Sequence, residues 1–295
     1  LLAHKPAPIQ ATYLGYYGTT GLKQIDYWIT DSTLHPPKFD EQDPCSETRW
    51  RLPRSFVTYR PLPSAPEVQE LPLLKRNFPM LGSFNQSRKI TLTTAERWME
   101  VLKAIPESHL FLKSKNLGEK TEAERVRTLF SSLGLDPNRL HLQGHSPSVA
   151  EHLDRYKEVD LALDTFPYTG CTTTADALWM GVPVLSVAGS SMVSRQAAAV
   201  LMAAGHPEWI CTDTNDLVQR VKELLSNPSA LANQRSKLRT ELAGSELLDH
   251  RGLAEAMTKS FRQWWKKWLE EHFPEPKLGN QMDPWPRIMP TPPIA

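Results

Sequence analysis

A run of hydroxyl-bearing, glycine and proline residues between Leu161 and Pro183 has the composition of a phosphate-binding turn. A short apolar stretch ends at Asp164, Pro167 and Gly170 follow, and three threonines then open an apolar segment. This order predicts a buried strand, a turn, and a helix whose first backbone amides lack intrahelical partners. Those amides, the positive end of the helix dipole and the hydroxyls together suit a diphosphate. Taken by itself, the threonine run is explained more simply by helix capping.

Lys89 is a second residue whose chemistry fits a diphosphate. It lies in a predicted loop that follows a short strand at 79–84. An ammonium group in that loop could neutralise the charge that develops on a leaving diphosphate. A solvated surface lysine is the alternative, because that is the usual place of this residue type.

The segment 77–245 alternates short apolar stretches with amphipathic ones. The predicted strands are 79–84, 109–113, 139–142, 159–163 and 182–186, and the predicted helices are 93–105, 119–133, 148–157 and 194–204. Strands that alternate with helices of this length indicate a parallel sheet with helices on both faces. Ligands of such sheets bind beyond the carboxyl ends of the strands, where the turn after Asp164 would lie. We therefore predict an α/β fold with a Rossmann-like lobe over 77–245.

Proline content and patterning divide the rest of the chain. Residues 1–60 carry predicted strands at 9–14, 25–30 and 56–59 with too few helices for a lobe, so we expect a remnant of an N-terminal lobe. The proline-rich stretch 61–76 is predicted to be a linker, 246–273 a docking helix, and 274–295 a proline-rich tail.

The predicted last helix has one strongly aromatic face. Phe261, Trp264, Trp265 and Trp268 follow helical spacing, with basic residues around them. We expect this face to dock on the rest of the protein; an interfacial membrane helix is the alternative.

Composition excludes several classes of protein. With 295 residues and a formal net charge of +1, the chain has no bulk electrostatic basis for binding nucleic acid or a membrane surface. The three cysteines have no metal-ligand or disulfide spacing, which indicates reduced thiols in a cytoplasmic protein. The sequence contains no apolar run of about 18 residues, so it predicts no transmembrane helix. Since the chain begins without Met, we expect its numbering to start inside a longer protein.

Four segments, in order along the chain, resemble motifs of the O-GlcNAc transferase / SPINDLY family of glycosyltransferases. Residues 5–21 (KPAPIQATYLGYYGTTG) resemble the family's RPAPIQ…LGYPGT segment, and 25–31 resemble its DYxITD strand. Residues 82–90 resemble its GSFNxxxKI loop, and 161–183 resemble its nucleotide-diphosphate loop. The resemblance implies the two-lobed GT-B fold, with a complete C-terminal Rossmann-like lobe and part of the N-terminal lobe.

The resemblance implies roles for individual residues. Lys89 matches a phosphate-contacting lysine, and we predict it as the catalytic residue. His152 matches a histidine that packs on the nucleobase, and Asp176 matches a ribose-binding acid. Their alternatives are a structural histidine and an aspartate that only stabilises the helix dipole. The other predicted substrate-binding residues are Gln86, Arg155, Cys171, Thr172 and Thr173 in the second lobe and Gly15, Tyr16 and Gly18 in the first.

Three positions depart from the family's pattern. Cys171 stands where the family often has His or Gly, and Tyr17 stands where its GYPG turn has proline. Val149 stands where some relatives carry a nucleotide-contacting lysine. We expect these departures to affect a phosphate contact, the turn geometry and nucleotide selectivity.

The function that the resemblance implies is inverting transfer of N-acetylglucosamine from UDP-GlcNAc to Ser and Thr hydroxyls of proteins. No cofactor and no metal is expected, since the helix terminus and Lys89 would hold the diphosphate. A protein O-fucosyltransferase that uses GDP-fucose and a non-catalytic module that binds a nucleotide sugar or a partner protein are the alternatives. The resemblance also implies tetratricopeptide repeats upstream in the intact protein.

Overall fold

Three short strands in the first lobe pair in parallel. In the computed structural model, which describes residues 1–15 and 17–274, they are β1 (Ala11–Thr12), β2 (Tyr27–Asp31) and β3 (Thr48–Leu52), in the order β1-β2-β3. Ile29 of β2 packs with Leu52 on one face of the sheet. Its neighbour Trp28 points to the other face and packs against Met192 and Ala199 of the second lobe. The first lobe therefore has one face on the second lobe.

The second lobe is built on a six-stranded parallel sheet. Its strands are β4 (Met80–Ser83), β5 (His109–Lys113), β6 (Leu140–Gln143), β7 (Leu161–Leu163), β8 (Val184–Val187) and β9 (Ile210–Cys211), in the order β6-β5-β4-β7-β8-β9. Strands β4, β7 and β8 are buried along their whole length, as expected where helices cover both faces. Strand order reverses between β4 and β7. This reversal opens a crevice at the carboxyl ends of those two strands.

Eight α-helices occur in the described part of the chain. They are α1 (Leu92–Ala104), α2 (Lys120–Ser132), α3 (Val149–Asp154), α4 (Thr172–Trp179), α5 (Gln196–Ala203), α6 (Thr214–Ser226), α7 (Pro228–Ala243) and α8 (His250–His272). Helix α1 begins after Thr91, whose hydroxyl accepts the amide of Thr94 at 3.3 Å. Its buried residues Trp98, Val101 and Leu102 recur at helical spacing, so one face of α1 joins the core.

The proline-rich segment between the lobes is bound to the second lobe by buried charged groups. Arg235 of α7, 1% exposed, donates to the carbonyl oxygens of Gln69 and Val159, each at 2.8 Å. Asp160, just before β7, pairs with Arg76 at 2.9 Å. Buried charges are tolerated where hydrogen bonds satisfy them. The segment is therefore packed on the lobe rather than being a free connector.

Trp264 fixes α8 on the first lobe. Its ring stacks on Tyr27 with centroids 4.1 Å apart and meets Trp50 edge-on at 5.3 Å. The indole nitrogen of Trp50 in turn donates to the hydroxyl of Ser260 at 2.8 Å. Aromatic pairs in these arrangements add to the free energy gained by burial. The last long helix thus returns to the first lobe. No described helix is long and apolar enough to cross a membrane.

The structure corrects two expectations about these elements. Residues 56–59 form no strand, although one was predicted there. The strand β3 was not predicted from the sequence, because TRWRL mixes two arginines with apolar residues. Those arginines are paired with Asp40 and Asp43. The aromatic face of α8 is not buried as a unit: Trp264 is 3% exposed, but Phe261 and Trp265 are 50% and 47% exposed. The predicted tail 275–295 lies outside the described residues.

We expect Trp264→Ala to lower the free energy of unfolding by about 3–5 kcal/mol, because it leaves a cavity beside Tyr27 and Trp50. Urea denaturation would measure this loss. Trp265→Ala, one position along the same helix, is the control and should cost less than about 1 kcal/mol, since its ring is half exposed. Equal losses in the two variants would contradict docking through Trp264.

Candidate active site

The loops after β4 and β7 face each other across the crevice. After β4 the chain passes Phe84 and Asn85 and makes one short 3-10 turn, Ser87–Lys89. After β7 it runs from Asp164 to Cys171 and enters α4. The tertiary structure thus brings together the two segments that carry Lys89 and the threonine run.

Asp164 ties these two loops together. Its carboxylate accepts hydrogen bonds from the side-chain amide of Asn85 at 3.0 Å and the hydroxyl of Ser186 at 2.7 Å. It also accepts the backbone amide of Gly170 at 2.8 Å. Burial raises the pKa of Asp164, and the hydrogen bonds from Ser186 and Gly170 oppose that rise. One buried carboxylate therefore sets the distance between the loops.

The ammonium group of Lys89 lies inside the loop that precedes α4. Its Nζ donates to the carbonyl oxygen of Thr169 at 2.8 Å and lies 4.1 Å from the ring centroid of Tyr168. Burial lowers the pKa of Lys89, and the carboxylate of Asp164 opposes this by favouring the charged form. A second, longer hydrogen bond of 3.4 Å runs to the side-chain oxygen of Asn85, so one of the three N–H donors remains for a ligand.

The N-terminus of α4 presents backbone amides to the same place. Cys171 is its N-cap residue and its side chain makes no capping hydrogen bond. The first intrahelical bond runs from the amide of Ala175 to the carbonyl oxygen of Cys171. Within the described part of the chain, the amides of residues 172–174 have no acceptor. Thr172 and Thr173 therefore lie in the first turn and do not cap the helix, and their amides suit an anion.

Asp176, one turn into α4, is held by a residue from the segment that joins the lobes. Its carboxylate accepts the hydroxyl of Tyr59 at 2.6 Å. Burial raises the pKa of Asp176, and the hydrogen bond from Tyr59 opposes the rise. Burial and the adjacent carboxylate raise the pKa of Tyr59, which keeps its phenol protonated as the donor. The second oxygen of the carboxylate remains available to a ligand.

A cavity of about 330 Å³ opens at the carboxyl ends of β5 and β6. His152 of α3 lines it and meets the ring of Phe84 edge-on, with centroids 5.6 Å apart. Tyr156 stacks on the same Phe84 at 3.9 Å, and its hydroxyl donates to the carbonyl oxygen of Thr173 at 3.3 Å. Aromatic contacts therefore connect the cavity to α4.

Cationic groups surround His152. Burial lowers its pKa, and the nearby charge of Lys113 lowers it further. Both effects favour the neutral imidazole. Arg155 follows one turn later, and its buried Nε has no hydrogen-bond partner among the described residues. Val149 lies at the rim of the cavity with its side chain 54% exposed.

The first lobe approaches α4 through residues next to its glycines. Gly15 is exposed and Gly18 is half-buried, while Tyr16 lies outside the described residues. Tyr17 meets Phe56 edge-on at 6.4 Å, and burial together with the neighbouring Cys171 thiol raises its pKa. Two of the positions that depart from the family's pattern, Tyr17 and Cys171, are thus neighbours in space. In the second lobe, the remaining predicted residue, Gln86, is exposed at the start of the 3-10 turn.

Four residues of this site were not predicted from the sequence: Tyr59, Asn85, Lys113 and Tyr156. Lys113 could have been found, because it ends a predicted strand at the edge of the sheet where ligands bind. No local sequence pattern predicted Tyr59 as a site residue, since its partner Asp176 lies 117 residues away. In the described part of the chain no cluster of His, Cys, Asp and Glu could hold a metal ion.

The fold and the crevice are those of a GT-B glycosyltransferase. The structure of a Thermobaculum terrenum O-GlcNAc transferase mutant superposes with a TM-score of 0.83 and 30% identity, over 92% of this chain and 51% of that chain. Sucrose-phosphate synthase from Thermosynechococcus elongatus gives a TM-score of 0.56 at 17% identity, over 82% of this chain and 59% of that chain, which supports the fold alone.

Sequence comparison defines the family. The profile of glycosyl transferase family 41 matches residues 1–58 and 74–257, and this chain belongs to that family. A Petunia hybrida protein named probable UDP-N-acetylglucosamine–peptide N-acetylglucosaminyltransferase SPINDLY is 35% identical over 93% of this chain, and the Arabidopsis thaliana protein SEC of the same enzyme name is 28% identical over 90%. The chain spans only 29% and 27% of these two relatives. The expected GT-B fold and family are confirmed.

We expect Asp176→Asn to raise the free energy of unfolding of the unliganded protein near pH 7–8. The folded-state pKa of Asp176 is raised, so its ionisation costs stability as pH rises through that pKa, and the variant escapes this cost. The gain should shrink as pH falls towards the ordinary carboxyl pKa of about 4. Thermal melts across this pH range would measure it.

Asp216→Asn is the control of opposite sign. Burial raises the pKa of Asp216, but hydrogen bonds from Thr212 and Arg220 outweigh burial and lower it. Its ionised form therefore stabilises the fold above the ordinary carboxyl pKa, and its loss should destabilise the protein at pH 7. A loss of stability in both variants would show that the Asp176 carboxylate is not destabilising when the site is empty.

Proposed function

We propose that this chain forms the nucleotide-sugar-binding part of an enzyme that transfers N-acetylglucosamine from UDP-GlcNAc to Ser and Thr hydroxyls of proteins. The observation that carries the proposal is the convergence of the Lys89 ammonium and the free amides of α4 on one loop of the crevice. The enzyme names of the plant relatives support this donor and a peptide acceptor. They also favour UDP-GlcNAc over GDP-fucose.

The main requirement of this reaction is to stabilise the negative charge that develops on the leaving diphosphate. The acceptor oxygen attacks the anomeric carbon from the face opposite the diphosphate, and the bond from that carbon to the β-phosphate oxygen breaks with inversion. The acceptor hydroxyl gives its proton to a base, and UDP leaves with an additional negative charge. Fixed donors aimed at that charge lower the barrier. In this chain they are the Lys89 ammonium and the amides of Thr172 and Thr173.

The nucleoside would lie along the cavity side of the crevice. The free oxygen of the Asp176 carboxylate would accept a ribose hydroxyl, and the neutral ring of His152 would stack on the base. Arg155 would lie at the edge of the base. Gln86 and Cys171 would contact the sugar-phosphate region, and Gly15, Tyr16 and Gly18 would line the sugar from the first lobe.

No metal has a role in this proposal. A diphosphate carries charge that glycosyltransferases must neutralise, and here a helix N-terminus and an ammonium group supply the positive potential. A cytoplasmic location and tetratricopeptide repeats upstream, which would recruit the acceptor proteins, belong to the same proposal for the intact protein.

We expect Lys89→Ala to weaken binding of UDP by about 10–100-fold, the range of one charge-assisted hydrogen bond. Isothermal titration of the chain with UDP-GlcNAc, UDP and GDP-fucose would measure this. Arg88→Ala removes the same charge from the exposed neighbouring residue and should change the affinity for UDP by less than about threefold.

The titrations also separate the alternatives. Tighter binding of GDP-fucose than of UDP-GlcNAc would replace the proposed donor. Equal effects of Lys89→Ala and Arg88→Ala would contradict the role of Lys89. Binding of UDP-GlcNAc without any transfer to peptide by the intact protein would identify a non-catalytic binding module.

A further inference from the structure

Lys113 is a buried cation in the wall of the cavity that contains His152. It ends β5, its side chain is 1% exposed, and its Nζ donates to the carbonyl oxygen of Gly144 at 2.8 Å. That bond uses one of the three N–H donors of the ammonium. The group therefore has donors that the protein leaves to a ligand of the cavity.

No counter-charge compensates this cation. Burial lowers the pKa of Lys113, and the positive charge of Arg155 lowers it further. Among the residues that the structure describes, neither Lys113 nor Arg155 belongs to an ion pair. Two neighbouring cations without a carboxylate destabilise each other, which is a common property of sites that bind electron-rich groups.

The backbone around Lys113 is fixed. Gly144, whose carbonyl oxygen accepts the ammonium, lies against Gly118 so closely that a Cβ on Gly144 would come 2.5 Å from the Cα of Gly118. Only a glycine allows this approach of two chain segments. The carbonyl oxygen that accepts the ammonium therefore has a fixed place in the lobe.

The proposed function determines what faces this ammonium, and the following inference rests on it. With the diphosphate at α4 and Lys89, the base reaches the cavity beside His152. We propose that Lys113 is a specificity-determining residue that donates a hydrogen bond to a carbonyl oxygen on the outer edge of the base. Uracil and guanine present such an oxygen, at O4 and O6, whereas cytosine and adenine present an amino group there.

The selectivity follows from the hydrogen-bonding capacity of the groups. An ammonium group has donors and no acceptor, and the guanidinium of Arg155 adds only donors. An amino group at that edge would face donors and leave its own N–H bonds unpaired. Sites built to hydrogen-bond one group reject analogues that lack it, because buried polar groups are then left unsatisfied.

The matched ligands UDP and CDP test this inference, since their pyrimidines differ at the 4 position. We expect the wild-type chain to bind UDP at least about tenfold more tightly than CDP in isothermal titration, and GDP more tightly than ADP. In Lys113→Met the ratio of UDP to CDP affinity should fall towards one. Lys120→Met, an exposed lysine at the start of α2 that does not line this cavity, should keep the wild-type ratio.

Several outcomes would overturn the assignment. Equal affinity of the wild type for UDP and CDP would be enough by itself. An unchanged ratio of UDP to CDP affinity in Lys113→Met would also contradict the assignment. If the methionine variant does not fold, Lys113→Gln replaces it. Its side-chain amide can donate to the uracil oxygen or accept from the cytosine amino group, so the ratio should still fall, and an unchanged ratio has the same meaning. If these variants weaken the binding of inorganic pyrophosphate as much as the binding of UDP, Lys113 contacts phosphate and not the base.

Failure of the proposed function gives a different result. In that case UDP, CDP, GDP and ADP all fail to bind the folded wild-type chain, or bind with affinities that Lys89→Ala leaves unchanged. A wild type that binds UDP through Lys89 but does not distinguish it from CDP would leave the proposed function standing and remove only the role of Lys113.

Discussion

The carboxylate of Asp164 holds the carboxyl ends of β4, β7 and β8 in one arrangement. Asn85 follows β4, Ser186 belongs to β8, and Gly170 precedes α4, and all three donate to this group. Gly170 can have no side chain, because a Cβ there would come 2.6 Å from the hydroxyl of Thr174. The geometry of Lys89 and of the free α4 amides depends on these bonds, since Asn85 and Gly170 belong to the loops that carry them.

Contacts between the lobes reach the same crevice. Tyr59, from the segment that joins the lobes, binds Asp176 of α4. Arg195, which precedes α5, donates to the carbonyl oxygen of Thr33 in the first lobe at 2.8 Å and to that of Gly189 in the second at 3.0 Å. Trp264 then fixes α8 across the first lobe. Hydrogen bonds and aromatic contacts between the lobes therefore set their relative position, and one of them also holds a residue proposed to bind ribose.

Three charged groups of the crevice and the cavity are destabilised by burial. Burial raises the pKa of Asp176 and lowers the pKa of Lys89 and of Lys113, so each group is less stable in its charged form than it would be in water. Groups placed for a ligand commonly carry such a cost, which the rest of the fold must offset. The proposed nucleotide-sugar ligand, with its phosphates, ribose hydroxyls and base carbonyl, would supply partners for these groups.

The sequence alone determined the alternation of strands and helices over 79–204, the turn before α4, and the motifs that place the chain in its family, because these depend on local patterns and contiguous residues. It did not reveal β3, whose arginines find partners only through tertiary pairing, or which face of α8 is buried. Tertiary structure also decided that Tyr59 meets Asp176, that Tyr17 lies beside Cys171, and that Lys113 stays uncompensated. These are contacts or burial effects between residues distant in sequence, and a pattern of residue types along the chain does not encode them individually.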